Sequence, residues 1–189
     1  HIDIGFLTAF LSKDKDFTTD ENVVTLYVPE NAKFQTATLN SDLGNILLNH
    51  VCFESGTVSS GDGDIFIKNS TLKEVAVSAS LGDVKTYDSK IKTCNFVLSD
   101  GDFTAKNNEF TGETLINNDL GDIEVQGSKK QWSLLGVDAS TDLGDIEVSE
   151  TLEGTLKEKD SDESKYQRSG KNGKVKLHAE DGDITMKCN

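Results

Sequence analysis

The sequence is short of several things, and each shortage narrows its reading. It has one proline, which removes collagen-like and proline-rich recognition architectures. Cysteine is limited to Cys52, Cys94 and Cys188. An odd number at wide spacing makes no disulfide framework, and without a Cys-x-x-Cys pair there is no zinc-ribbon pattern. All three are read as free thiols. The sole arginine is Arg168. No stretch approaches the roughly 18 apolar residues of a membrane helix, and the longest run, Ile4 to Leu11, is far too short. The chain starts at His1 rather than Met, which is expected of a processed or trimmed chain, so membrane anchoring would use a segment outside it. Basic residues are also scarce. Nineteen Lys and Arg stand against 33 Asp and Glu, a formal charge of −14. Such a surface repels phosphate backbones and anionic lipid, so nucleic-acid binding is excluded.

What the sequence does have is a repeat. Gly44-Asn45-Ile46, Gly63-Asp64-Ile65, Gly82-Asp83-Val84, Gly101-Asp102-Phe103, Gly121-Asp122-Ile123, Gly144-Asp145-Ile146 and Gly182-Asp183-Ile184 restate one phrase. Successive glycines lie 19, 19, 19, 20, 23 and 38 residues apart. Five positions before each glycine stand Leu39, Val58, Val77, Phe96, Ile116, Ala139 and Leu177, all apolar. Four positions after stand Leu48, Ile67, Thr86, Ala105, Val125, Val148 and Met186, and a further column reads Phe34, Phe53, Leu72, Ile91 and Phe110. Apolar residues alternate within each unit, which is strand periodicity. One unit cannot bury its inward row, whereas stacked units bury a continuous one.

The pattern predicts an all-β, single-domain parallel β-solenoid of about 19 residues per coil with seven Gly-Asp/Asn turns. Right-handed winding is expected from the rule for parallel crossovers. At a rise of about 4.8 Å per coil, seven turns make a rod of roughly 35 Å. Glycine allows positive φ at the corner, and aspartate accepts hydrogen bonds from nearby backbone N–H groups.

Residues 1–33 lack the phrase and read as an N-terminal cap or irregular first coils, with residues 34–189 as the coils proper. Asn189 follows the last turn so closely that the C-terminal cap is expected to be short or missing. A hidden coil in the 38-residue gap would place Leu156, Glu158, Lys165 and Gln167 inward. Three of these are polar, so 153–172 reads as an extruded charged loop. Lys129 to Trp132 reads as a smaller bulge.

The candidate site is the row Asp64, Asp83, Asp102, Asp122, Asp145 and Asp183. Stacked carboxylates one rung apart repel by about 0.9 kcal/mol in water before screening, and Ca²⁺ would relieve that. Turn chemistry at a solvated edge explains the same residues locally. The calcium-binding nonapeptide of β-rolls is not present. His50 falls in a polar turn column with Asn69, Asp88 and Asn107, too far apart for a metal site. No catalytic residue is assigned: no Ser-His-Asp or Cys-His arrangement follows from the register, and Cys94 falls in an inward column. Tyr27, Tyr87, Tyr166 and Trp132 are the aromatics expected at the surface.

The phrase Leu26-Tyr27-Val28-Pro29-Glu30-Asn31-Ala32, then Ser41-Asp42-Leu43-Gly44-Asn45-Ile46, then the serial Gly-Asp-Ile coils resemble the bacterial candidate-adhesin family known as domain of unknown function 4097, over roughly residues 22–189. The resemblance implies a single-domain parallel β-helix at the cell envelope, and no catalytic residues. Together with the charge, it points to a non-catalytic cell-envelope binding or adhesion-like domain, extracytoplasmic, with an envelope protein or glycan as partner and a monomer or weak dimer as its state. The alternatives are a carbohydrate-active β-helix enzyme and an envelope sensory or regulatory module.

Overall fold

The structure, a computed structural model, describes residues 32–159 and 163–189. The expected N-terminal cap therefore lies almost wholly outside the described residues. Each repeat contributes one strand that runs up to the glycine and one that leaves it, as in Thr71–Leu81 and Val84–Tyr87. The incoming strands build an 11-stranded sheet and the outgoing strands a 7-stranded sheet. Within the repeat all pairings are parallel, and the register follows the columns read from the sequence. Ile46 pairs with Ile65, Ile65 with Val84, Val84 with Phe103 and Phe103 with Ile123. On the other sheet Leu39 pairs with Val58, Val58 with Val77 and Val77 with Phe96.

The core is the stack of those columns between the two sheets. Ile65, Val84, Phe96, Phe103, Ile116, Ile123 and Ile184 are fully buried. Phe96 and Phe103 meet edge to face with ring centroids 5.1 Å apart. The sequence supplies β-branched and aromatic residues at every second position, which suits a pleated, one-side-buried strand. At the Gly corner the demand is steric: Gly101 has φ +138°, and a Cβ there would lie 2.4 Å from the Gly82 carbonyl oxygen. The opposite corner turns on His50, Asn69, Asp88 and Asn107, with φ of 56°, 51°, 49° and 57°. It is backed by a second, internal ladder. The Val51 N–H donates to Ser70 Oγ at 3.2 Å, the Ser70 N–H to Ser89 Oγ at 3.1 Å, and the Ser89 N–H to Asn108 Oδ1 at 2.9 Å.

The order of coils departs from the order of the chain. Gly173–Asp181 lies between Glu109–Leu120 and Leu135–Leu143, parallel to both. Ile184–Cys188 likewise lies between Ile123–Gly127 and Ile146–Val148. Along the axis the turns therefore run 44, 63, 82, 101, 121, 182, 144. The last coil is an interior coil, so the expectation of a bare end after Asn189 is corrected. The chain skips one rung on leaving the Gly121 coil and later comes back to fill it. Two ion pairs staple the inserted strand on both sides: Lys176 Nζ to Glu113 at 2.9 Å and Lys174 Nζ to Asp138 at 3.0 Å.

The segment expected to be an extruded loop is a hairpin. Thr155–Lys159 and Glu163–Arg168 pair antiparallel, and Glu163–Arg168 pairs antiparallel with Leu135–Leu143. It covers the edge that Leu135–Leu143 would otherwise leave open. Among the described residues, no hidden parallel coil lies in the gap, in keeping with its polar inward set, and the hairpin strands pair antiparallel instead. In the strand Glu163–Arg168 the buried residues are Ser164 and Tyr166, while Lys165 and Gln167 face outward. The expected bulge is the helix Lys129–Leu134, opened by a reciprocal cap between Ser128 and Gln131. Its Trp132, expected at the surface, is buried and donates Nε1–H to the Lys187 carbonyl at 2.9 Å. Tyr166 is buried too, its hydroxyl donating to the Glu153 carbonyl at 3.2 Å.

Candidate functional site

The Gly-Asp corner places all six predicted aspartates on one row, with Asn45 at its head. Asn45 and every aspartate of the row except the terminal Asp145 accept the backbone N–H of the residue one rung away. The Asp64 N–H donates to Asn45 Oδ1 at 2.8 Å, Asp83 to Asp64 Oδ1 at 2.9 Å, Asp102 to Asp83 Oδ1 at 2.9 Å, and Asp122 to Asp102 Oδ1 at 2.9 Å. The ladder continues through the inserted coil, Asp183 N–H to Asp122 Oδ1 and Asp145 N–H to Asp183 Oδ1, both at 2.8 Å. All but the Asn45 bond are charge-assisted, and they go to groups that the turn would otherwise leave without a ladder partner. The row thus does turn chemistry between rungs rather than within one turn.

Asp83 carries an additional partner, Lys85 Nζ, 2.7 Å from its second oxygen. Burial pushes this carboxyl up, but the Asp102 N–H and the Lys85 ammonium outweigh it and hold the group below its ordinary value of 3.8. Among the described residues, no group of three or more His, Cys, Asp or Glu side chains is arranged to hold a metal ion.

Several other titratable residues are likewise tied up. Glu54 meets Lys73 Nζ at 2.7 Å and is held low mainly by that hydrogen bond. Asp138 is held low first by its hydrogen bond to Lys174. Glu113, Lys176, Lys174 and Asp138 do come together on the outer face of the larger sheet, as diagonal pairs across three strands. Cys52, Cys94 and Cys188 are free thiols. Cys94 is buried, and burial pushes its pKa up to about 11, which makes it a poor nucleophile. His50 sits at its left-handed corner, apart from other ligating side chains. His178 Nδ1 lies 3.1 Å from Ser140 Oγ. Tyr87 is half-buried, as is Arg168. No helix among the described residues is long and apolar enough to cross a membrane.

One row escaped the sequence reading. The residue before each glycine runs Leu43, Asp62, Leu81, Asp100, Leu120, Asp181, Leu143 along the axis, each paired with the next. In chain order the same column ends Leu120, Leu143, Asp181, which hides the alternation. Only the inserted coil restores it.

The stacked Gly-Asp corners and their continuous register are the features of a known domain. The profile of the Toastrack DUF4097 family matches residues 10–187. The chain belongs to the Toastrack DUF4097 family. No curated protein matches this Toastrack chain. A solved structure similar to it is that of a candidate cell adhesion protein from Clostridium sporogenes, at 12% identity, covering 86% of this chain and 96% of that one, with a TM-score of 0.45. Toastrack DUF4097 is a family of unknown function rather than a known enzyme family.

Proposed function

We propose that this Toastrack domain is a non-catalytic, adhesion-like binding module of the bacterial cell envelope, working outside the cytoplasm as a rigid acidic rod. The observation that carries the reading is how its carboxylates are used. Asp64, Asp83, Asp102, Asp122 and Asp183 are committed to backbone N–H groups rung by rung, and Glu54, Glu113 and Asp138 are committed to lysines. A glycoside hydrolase needs a facing pair of carboxylates, one of them free to carry a proton, and these groups are occupied with holding the stack together. What such a stack offers a partner is a stiff surface with a repeat.

On the same reading the coils wind right-handed, seven of them at about 19 residues each, and the rod acts as a monomer or weak dimer toward an envelope protein or glycan. The test is binding of the labelled domain to envelope fractions, with calcium and with chelator. Saturable binding supports the proposal. Release of soluble sugar from the fraction overturns it in favour of an enzyme. Calcium-dependent binding would assign the Asp row a second role, cation capture, beside turn chemistry.

A further inference from the structure

We infer that the Gly corner is a docking edge for a basic amphipathic helix of a partner protein. This deepens the binding reading above and rests on it. Leu43, Leu81, Leu120 and Leu143 are 79%, 51%, 50% and 53% exposed, although the inward residues of their strands are buried or, beside Leu43, half-buried. Exposed large apolar side chains scattered singly need no explanation, but a regular row does. Each leucine is separated from the next by one aspartate: Asp62, Asp100 and Asp181, all exposed. The flanking rows add Asp42, Asp119, Glu180 and Asp142 on one side and the Asp ladder on the other. On this edge Lys85 is ion-paired with Asp83, and Lys165 lies within electrostatic reach of Asp142.

Spacing and charge choose the occupant. Strands in a sheet are about 4.8 Å apart, so leucines on alternate rungs recur about every 9.6 Å. An α-helix laid along the axis repeats a side every seven residues, about 10.5 Å. The mismatch, about 0.9 Å per step, accumulates to about 2.7 Å across the four leucines, within the reach of flexible side chains. An extended strand repeats a side about every 6.8 Å and falls out of step at once. Lys or Arg one helical turn from each apolar residue would meet Asp62, Asp100 and Asp181, which complements the charge of the edge. A second copy of this chain has a matching period but the wrong sign. In register it sets aspartate against aspartate, and one rung out of register it buries each aspartate under a leucine.

The experiment uses the full chain and a synthetic helical peptide with leucine every seventh residue and lysine one turn on, read by fluorescence anisotropy at physiological salt. A peptide of the same composition with its leucines scattered round the helix is the control. Saturable binding is expected, at least tenfold weaker for the control peptide. The variant L43S/L81S/L120S/L143S, at unchanged charge, and the variant D62N/D100N/D181N are each expected to bind at least tenfold more weakly, with circular dichroism showing both folded. No binding, or binding untouched by the leucine changes, overturns the inference, the latter because charge alone then explains it. Sedimentation that shows the wild type self-associating through these leucines also overturns it. Envelope fractions separate the two claims: a leucine variant that still binds them defeats the edge and spares the binding function, whereas a wild-type chain that binds none defeats the function.

Discussion

Asp183 Oδ1 accepts the backbone N–H of Asp145 at 2.8 Å, although Asp145 precedes it by 38 residues. Its own N–H donates to Asp122 Oδ1, also at 2.8 Å. One residue, by its side chain on one side and its backbone N–H on the other, thus joins the coil made before the rung was skipped to the coil made after it. Asn45 plays the same part at the head of the row with a neutral amide, so what the ladder requires is an acceptor oxygen rather than a charge.

That requirement predicts a split between two substitutions. Asp183→Ala removes the acceptor and is expected to cost about 1 kcal/mol, less than for a buried charged acceptor because the edge is exposed. Asp183→Asn keeps the oxygen and is expected to fall within about 0.5 kcal/mol of wild type. Urea unfolding of the pair checks this. Equal losses would show that charge, not acceptance, is what matters.

The staple on the inserted strand predicts a pH signature. The Asp138 carboxyl is held below its ordinary 3.8, first by its hydrogen bond to Lys174. A group with a depressed folded pKa stabilises the fold above its unfolded pKa and loses that contribution as pH falls through the folded value. The stability gap between wild type and Asp138→Asn is therefore expected to be constant at pH 6–7, about 0.5–1 kcal/mol after solvent screening of a partly exposed pair. It closes as pH drops from about 4 through the lower folded pKa. A gap that persisted at pH 2 would assign the loss to something other than ionisation.

The interior position of the last coil predicts an unusual response to truncation. In a solenoid each coil is stabilised by its two neighbours, so trimming an end coil costs one interface. Here removal of residues 173–189 takes away the strands that Leu135–Leu143 and Ile146–Val148 use on their inner side. Hydrogen exchange is expected to show residues 135–168 losing protection while residues 52–106 keep most of theirs. Protection retained at 135–143 would mean that the Gly144 coil had closed directly onto the Gly121 coil.

Burial ranks the three thiols. Cys94 is 1% exposed and its thiol is pushed up to about 11, while Cys52 and Cys188 are half-buried. A thiolate-directed reagent at pH 8 is expected to label Cys94 at least a hundredfold more slowly than the other two in the native protein, and all three alike in denaturant. Rapid native labelling of Cys94 would place it outside the core stack.

Much of this protein is local and periodic, and that part the sequence determined by itself. Columns of apolar residues at a fixed offset from Gly-Asp require parallel strands in register, because only stacking buries a row that each unit exposes. The placement of Asp64, Asp83, Asp102, Asp122, Asp145 and Asp183 on one turn row follows from the same phrase, whereas the bonds from one rung to the next exist only once the coils are stacked. The tertiary structure alone decided which coil neighbours which. Any Gly-Asp coil can stack on any other, so the repeat is silent on whether Gly173–Asp181 follows Leu135–Leu143 or slips inside it. Non-repeating groups settle that: Lys174 and Lys176 bridging to Asp138 and Glu113, Trp132 closing on Lys187, and the hairpin that occupies the outer edge. The alternating leucine and aspartate edge depends on that order, which is why it could be seen only after the coils were in place.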